Sequence, residues 1–199
     1  KGTFECEFQL ADQNWKDEFS MPLVYQNGNK IPSQAEKELS NLNLDWRKRV
    51  VFEAELEPSQ MNRFDSKIEI LPKKPAPAIN KEKGRIVFNT EDLEVVINCE
   101  TGHIDSYKAK GREYLKNSAM KALVIEDNDD PWGMTVNSFR NVIGEFKLMS
   151  KEEGTEFSGV RDRVLDSVRV IEDGEVRTVV EAVFRYHNSY ICQVYKLPK

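Results

Sequence analysis

The chain has 199 residues, with 29 Lys and Arg against 34 Asp and Glu, giving a formal charge of −5. Charged residues make up 32% and hydrophobic residues 39%, and no stretch approaches the ~20 consecutive apolar residues that a membrane-spanning helix needs. A net acidic chain with scattered Lys and Arg excludes the electrostatic footprint of a nucleic-acid binder. No basic n-region followed by an apolar h-region opens the sequence, so no signal peptide is expected.

Period-two alternation dominates from the start and reads as half-buried strands. Phe4, Cys6, Phe8 and Leu10 alternate with Thr3, Glu5, Glu7 and Gln9. Asn27-Gly28-Asn29 supplies the positive-φ residues of a hairpin turn. Ser33 to Leu42 has helix-forming residues and a possible Ser33…Glu36 capping box, and it also suits an irregular strand connection. Asp45-Trp46-Arg47-Lys48-Arg49 is a short basic run. Alternation sets Trp46 and Lys48 with Val50, and Arg47 and Arg49 with Val51. Two arginines on one strand face suit carboxylate pairing across strands or a domain contact; phosphate or nucleic acid needs a broader patch. Val50, Phe52, Ala54 and Leu56 continue that strand, and Ile68 and Ile70 mark another.

Pro72, Pro75 and Pro77 then interrupt the pattern. Proline removes ladder donors and fixes φ, so this segment reads as a semi-rigid linker rather than a strand. The expected organisation is a small β domain over 1–72, a linker over 73–84 and a second β unit over 85–199. In the second unit Ile86 and Phe88 begin one strand, and Leu93, Val95, Ile97 and Cys99 another. Val168 and Val170, then Val176 to Phe184, and Tyr190 to Leu197 follow. Thr101-Gly102, Lys110-Gly111 and Asp173-Gly174 mark turns, the clearest hairpin being Glu172-Asp173-Gly174-Glu175 between two Val-rich runs. A strand lies close to each terminus, which suggests that the natural polypeptide continues.

Cys6, Cys99 and Cys192 are odd in number, far apart and without a CxxC pair. Each lies in an apolar-alternating run and is expected to be a small buried hydrophobe. No Asn-x-Ser/Thr sequon occurs, and a cytoplasmic home is expected.

Three ordered segments resemble one family. They are Asn43-Leu44-Asp45-Trp46-Arg47-Lys48-Arg49 with Ala54-Glu55-Leu56-Glu57-Pro58; Leu93-Glu94-Val95 through Thr101-Gly102-His103-Ile104-Asp105-Ser106 to Gly111-Arg112-Glu113-Tyr114-Leu115; and Ile125-Glu126-Asp127-Asn128-Asp129-Asp130-Pro131-Trp132-Gly133-Met134. Their order and spacing resemble the non-catalytic C-terminal β region of bacterial-type glycoside hydrolase family 38 α-mannosidases. The late run from Val170 to Arg177 and Ser189-Tyr190-Ile191 is similar to that region as well. The resemblance implies an all-β fold: a small β domain followed by the first part of a galactose-mutarotase-like supersandwich. It also implies an intact enzyme that hydrolyses terminal α-mannosides with retention, using zinc held by two His and two Asp in an N-terminal catalytic barrel. That barrel would be this chain's partner within the same polypeptide. No catalytic residue and no cofactor are expected in the chain itself.

The residues point the same way. His103 and His187 are the two histidines, each isolated beside a turn signal, and each reads as a surface turn histidine. Zinc needs three or four converging ligands. Asp127, Asp129, Asp130 and Trp132 form the densest candidate cluster. EF-hand spacing fails there, because Pro131 falls on an oxygen-ligand position and Trp132 on the glycine position. Contact with mannose-containing glycans is the functional expectation: carboxylates accept hydrogen bonds from sugar hydroxyls and an indole stacks on a pyranose face. The bland alternative is a loop in which Asp caps turns and Trp132 packs on the sandwich or on a missing domain. Neighbouring acids on one loop rarely straddle a glycosidic bond, so they are not expected to be a glycosidase pair. Ser20, Ser138 and Ser158 lack a nucleophile elbow. Two rivals stand beside the mannosidase reading: a free-standing carbohydrate-binding module, and an interaction scaffold without a sugar role. A mutarotase-type epimerase would need a converging His and acid.

Overall fold

The first alternating run becomes strand β1 (Gly2–Gln9), whose burial alternates residue by residue. In this computed structural model, residues 1–10, 16–37, 47–79, 81–115, 118–129 and 132–199 are described. The protein is almost entirely β, with one helix among the described residues.

Contacts divide the chain into two units. The first takes Lys1–Ala78 together with Ile171–Val179 and Lys196–Lys199; the second takes Ile79–Val170 and Val180–Tyr195. The expected boundaries at 72 and 85 follow the chain once through, whereas the contacts show two later returns to the first unit. Residues 72–78 carry no strand.

In the first unit, β1 is followed by β2 (Phe19–Gln26), β3 (Asn29–Ile31), β4 (Ser33–Glu36), β5 (Arg47–Ala54) and β6 (Asp65–Leu71). They form two three-stranded antiparallel sheets, ordered β1-β5-β4 and β3-β2-β6. Val24, Val50, Phe52 and Ala54 make the core between them, with Phe4, Cys6, Phe8, Ile31 and Phe64 packed against it. The Phe52 ring sits 5.9 Å from Phe4 and 5.0 Å from Phe64, both tilted, as aromatic quadrupoles prefer. Lys48 shares the inward face and is buried; its ammonium lies 4.9 Å from the Phe19 ring centroid, a cation–π contact. Arg47 and Arg49 share the other face and pair across strands with Glu7 (3.5 Å) and Glu5. The Ser33–Leu42 stretch begins as β4, paired to β5; its remainder from 38, like Trp46, lies outside the described residues.

In the second unit come β7 (Lys81–Glu82), β8 (Arg85–Asn89), β9 (Leu93–Asn98), β10 (Ile104–Ala109) and β11 (Arg112–Glu113), which make one five-stranded sheet in the order β11-β10-β9-β8-β7. Next are β12 (Leu123–Ile125), β13 (Val142–Glu145), β14 (Lys147–Leu148), the helix α1 (Lys151–Ser158), β15 (Val168–Asp173), β16 (Arg177–Tyr186) and β17 (Ser189–Pro198). β12 pairs with β13, while β16 pairs with β14, β15 and β17. Ile86, Phe88, Val95, Ile97 and Phe184 are at most 2% exposed and anchor this core. The strands β15, β16 and β17 follow the alternation, but β16 is buried on both faces over most of its length.

The helix was not foreseen, although its signals are local. Ser150 accepts from Glu153 N while the Glu153 side chain accepts from Ser150 N, a complete capping box. Gly159 closes the helix in the left-handed region at φ 72°. Cys6 and Cys99 are half-buried, but Cys192 is exposed and its thiol lies 3.3 Å from Glu181 Oε2. The outward pleat of β17 places it there, against the expected burial.

Candidate functional site

The acidic loop rises from the β12–β13 pair, which carries a register shift between Val124 and Ile125. Its base is tied twice: Glu126 N donates to Asn141 O (2.9 Å), and Asn141 Nδ2 donates to Glu126 Oε2 (2.6 Å). Asn128 organises what lies between. Its backbone N donates to Asp127 Oδ1 (2.8 Å), its Oδ1 accepts from Thr135 N (3.0 Å) and Val136 N (3.4 Å), and its Nδ2 donates to Gly133 O (3.3 Å). An amide both donates and accepts, so one Asn side chain spans the two arms of the loop.

The consequence is the placement of Trp132. Its side chain is 95% exposed, with Met134 at 64% nearby in sequence. Large indoles are ordinarily well buried, so an indole this exposed within the chain stands out. Asp127 and Asp129 are exposed on the same loop, and one Asp127 oxygen is already engaged by the loop's own backbone. Asp130 lies outside the described residues. The loop therefore carries an exposed apolar ring and two exposed carboxylates, groups of the kind that contact a polyhydroxylated ring. Among the described residues, no group of three or more His, Cys, Asp or Glu gathers as a metal site.

The two histidines diverge. His187 is exposed in the β16–β17 turn at φ 49°, as expected for a turn histidine. His103 is not at the surface: it is 8% exposed and stacks on Phe184 at 5.3 Å and 13°, with Nδ1 lacking a partner. The β9–β10 turn carries it inward. Asn98 Oδ1 accepts from Glu100 N and Thr101 N, and Gly102 sits at φ 74°, where a Cβ would lie 2.6 Å from Phe184 Cζ. Tyr195 OH donates to Gly102 O (2.7 Å), and burial raises that phenol to about 12. Burial likewise lowers the His103 pKa, assisted by Lys121 and opposed by Glu145 and Asp105.

A second concavity escaped sequence reasoning. An open groove of about 650 Å³ is lined by Lys147, Leu148, Glu153, Arg185, His187 and Asn188. Arg185 there is engaged by Glu153 Oε1 (3.2 Å) and His187 O (3.1 Å).

No protein-family model matches the chain, and no curated protein matches it.

Proposed function

We propose that this chain is the non-catalytic β region of a bacterial-type family 38 α-mannosidase, and that its Asp127–Trp132 loop contacts the mannoside. The observation that carries the sugar reading is Trp132: an indole 95% exposed on a loop held in shape by Asn128. The Asn128 bonds to Gly133, Thr135 and Val136 reduce what must be ordered on binding. The ordered motifs and the all-β character support the family assignment, and the second unit would form the first part of a mutarotase-like supersandwich. The intact enzyme would hydrolyse terminal α-mannosides, with this region supporting the catalytic barrel.

Zinc does not fit the described donors. The buried His103 has Phe184 against its ring, His187 stands in a separate exposed turn, and no three-donor group surrounds either. The metal would belong to the barrel.

The test is titration of the chain with mannose and mannobiose, followed by backbone chemical shifts. Binding is expected at the 126–136 loop and is lost in Trp132→Ala with the fold intact. Shifts confined to other surfaces would overturn the sugar reading. Zinc-dependent turnover of an aryl α-mannoside by this chain alone would overturn the non-catalytic one. A second reading, an interaction scaffold, is favoured by the exposure of Leu123, Val142 and Ile143 (49–55%). It expects no sugar effect on melting temperature.

A further inference from the structure

The first unit contains a polar clasp whose two sides lie about 140 residues apart in sequence. One side is the β15–β16 turn, and the other is the sheet formed by β1, β5 and β4. Register puts Glu5, Val51 and Gln34 in one row across that sheet, and Arg49 and Glu36 in the next, all on the face opposite the apolar core. Val51 and the Glu36 carboxylate are nevertheless buried, so something covers this face.

The cover is Arg177. Its Nε and Nη2 bind the two oxygens of Glu36 at 2.7 and 2.6 Å, and its Nη1 binds Glu5 Oε1 at 2.6 Å. The Arg177 and Glu36 side chains are 8% and 3% exposed. This is fork-to-fork pairing, the geometry in which Arg and carboxylate interact most strongly. Gln34 adds a contact of a different kind. Its Oε1 accepts from Val176 N and Arg177 N (both 2.9 Å), and its Nε2 donates to Arg177 O (3.1 Å) and Glu36 Oε1 (2.8 Å). One side-chain amide thus supplies the donor and acceptor pattern of a neighbouring strand. Gly174 makes room for it: a Cβ there would fall 2.6 Å from Gln34 Cβ and Cδ.

The turn's three carboxylates complete the clasp, each taking a backbone N–H from the first 78 residues. Glu172 accepts from Lys37 N (2.6 Å), Asp173 from Ala78 N (2.8 Å) and Glu175 from Ser33 N (3.3 Å). Lys74 adds an ion pair to Glu172 at 2.5 Å, and Lys199 one to Asp173 at 2.7 Å. Without the turn the buried Ser33, Gln34 and Glu36 lose partners, and buried unpaired groups are strongly unfavourable.

We propose that residues 1–75 present a receptor surface for a β-hairpin tip of the Glu-Asp-Gly-Glu-x-Arg type, and that the Glu172–Arg177 turn of the same chain is its occupant. The proline segment is then dispensable as a covalent link. A chain cut there remains whole, because the downstream part holds the upstream part through this turn.

The experiment places a site-specific protease sequence between Pro75 and Ala76 of the full chain and cleaves the folded protein. The two parts are expected to co-elute in native size exclusion and to separate in denaturant. Arg177→Met and Gly174→Val in the cleaved protein are each expected to raise the dissociation constant of the two parts at least ~100-fold, the equivalent of losing a buried pair. Circular dichroism of the uncut variants checks that the fold survives covalently. Glu175→Gln, at the exposed rim, serves as a milder third variant and is expected to weaken association less than tenfold. Separation of the wild-type parts in native buffer would overturn the proposal. So would cleaved Arg177→Met and Gly174→Val proteins that associate as tightly as the wild type.

Discussion

In the Glu172–Glu175 turn, the Glu172 and Asp173 side chains are 4% and 2% exposed and take backbone N–H groups from distant segments. In the loop from Asp127, both described carboxylates stand in solvent, and the loop's hydrogen bonds are largely its own. The two stretches have similar composition, three acids around a small or amide residue. What separates them is the donors brought to them. The first turn meets Lys74, Lys199 and three backbone N–H groups, so its charge becomes structural. Among the described residues of the second, Asn128 bonds the loop's own backbone, and Asp127, Asp129 and Trp132 are exposed.

The comparison breaks most readily at Arg177. Arg177→Met leaves Glu36 buried without its partner and should lower stability by about 3–5 kcal/mol in urea unfolding. A loss under 1 kcal/mol would mean that the clasp is ornamental. Asp173→Ala should cost about 1–3 kcal/mol by stranding the hydroxyl of buried Thr178, whereas Asp129→Ala should stay within about 0.5 kcal/mol. Equal effects from the two Asp substitutions would erase the distinction.

Acid sharpens it further. Burial pushes the Glu5 carboxyl up, but hydrogen bonds from Arg49, Arg177 and Lys196 prevail and bring it down to about 2 from an ordinary 4.5. Its contribution to the clasp is complete above pH 4.5 and is lost as pH falls through about 2. In the second unit the lowered His103 pKa acts earlier. Below about pH 6.5 the unfolded chain takes the proton more readily than the fold does, so stability falls. Urea unfolding from pH 7 to 5 should show that slope, and His103→Leu should flatten it.

Asn128→Ala is expected to leave global stability within about 1 kcal/mol while amide exchange at Thr135 and Val136 accelerates, because their acceptor is gone. Smallest of all is Trp132→Ala, expected to change stability by less than about 0.5 kcal/mol while removing sugar binding. A larger destabilisation would show that the indole packs in solution.

Strands were legible where one face is apolar and the other polar, as in Phe4, Cys6 and Phe8 of β1. β2 escaped because its inward residues are Ser20, Pro22 and Val24; a buried serine and proline break the alternation signal. α1 escaped because its sequence has weak apolar periodicity, although Ser150…Glu153 announces its start. The loop of Asp127 and Trp132 was legible as a cluster, but its exposure was not, since nothing local says whether an indole finds a pocket. The clasp was out of reach. Gln34, Glu36 and Arg177 are ordinary polar residues until the fold closes a gap of some 140 positions.

That gap also has a consequence in time. As a ribosome extends the chain, residues 1–78, with Glu5 and Glu36, are made before Arg177. About 100 further residues must follow before the turn arrives, roughly 5–20 s at ~5–20 residues per second. Throughout that interval Glu5 and Glu36 are without Arg177. The first unit therefore depends on a residue made about 100 positions after its sheets.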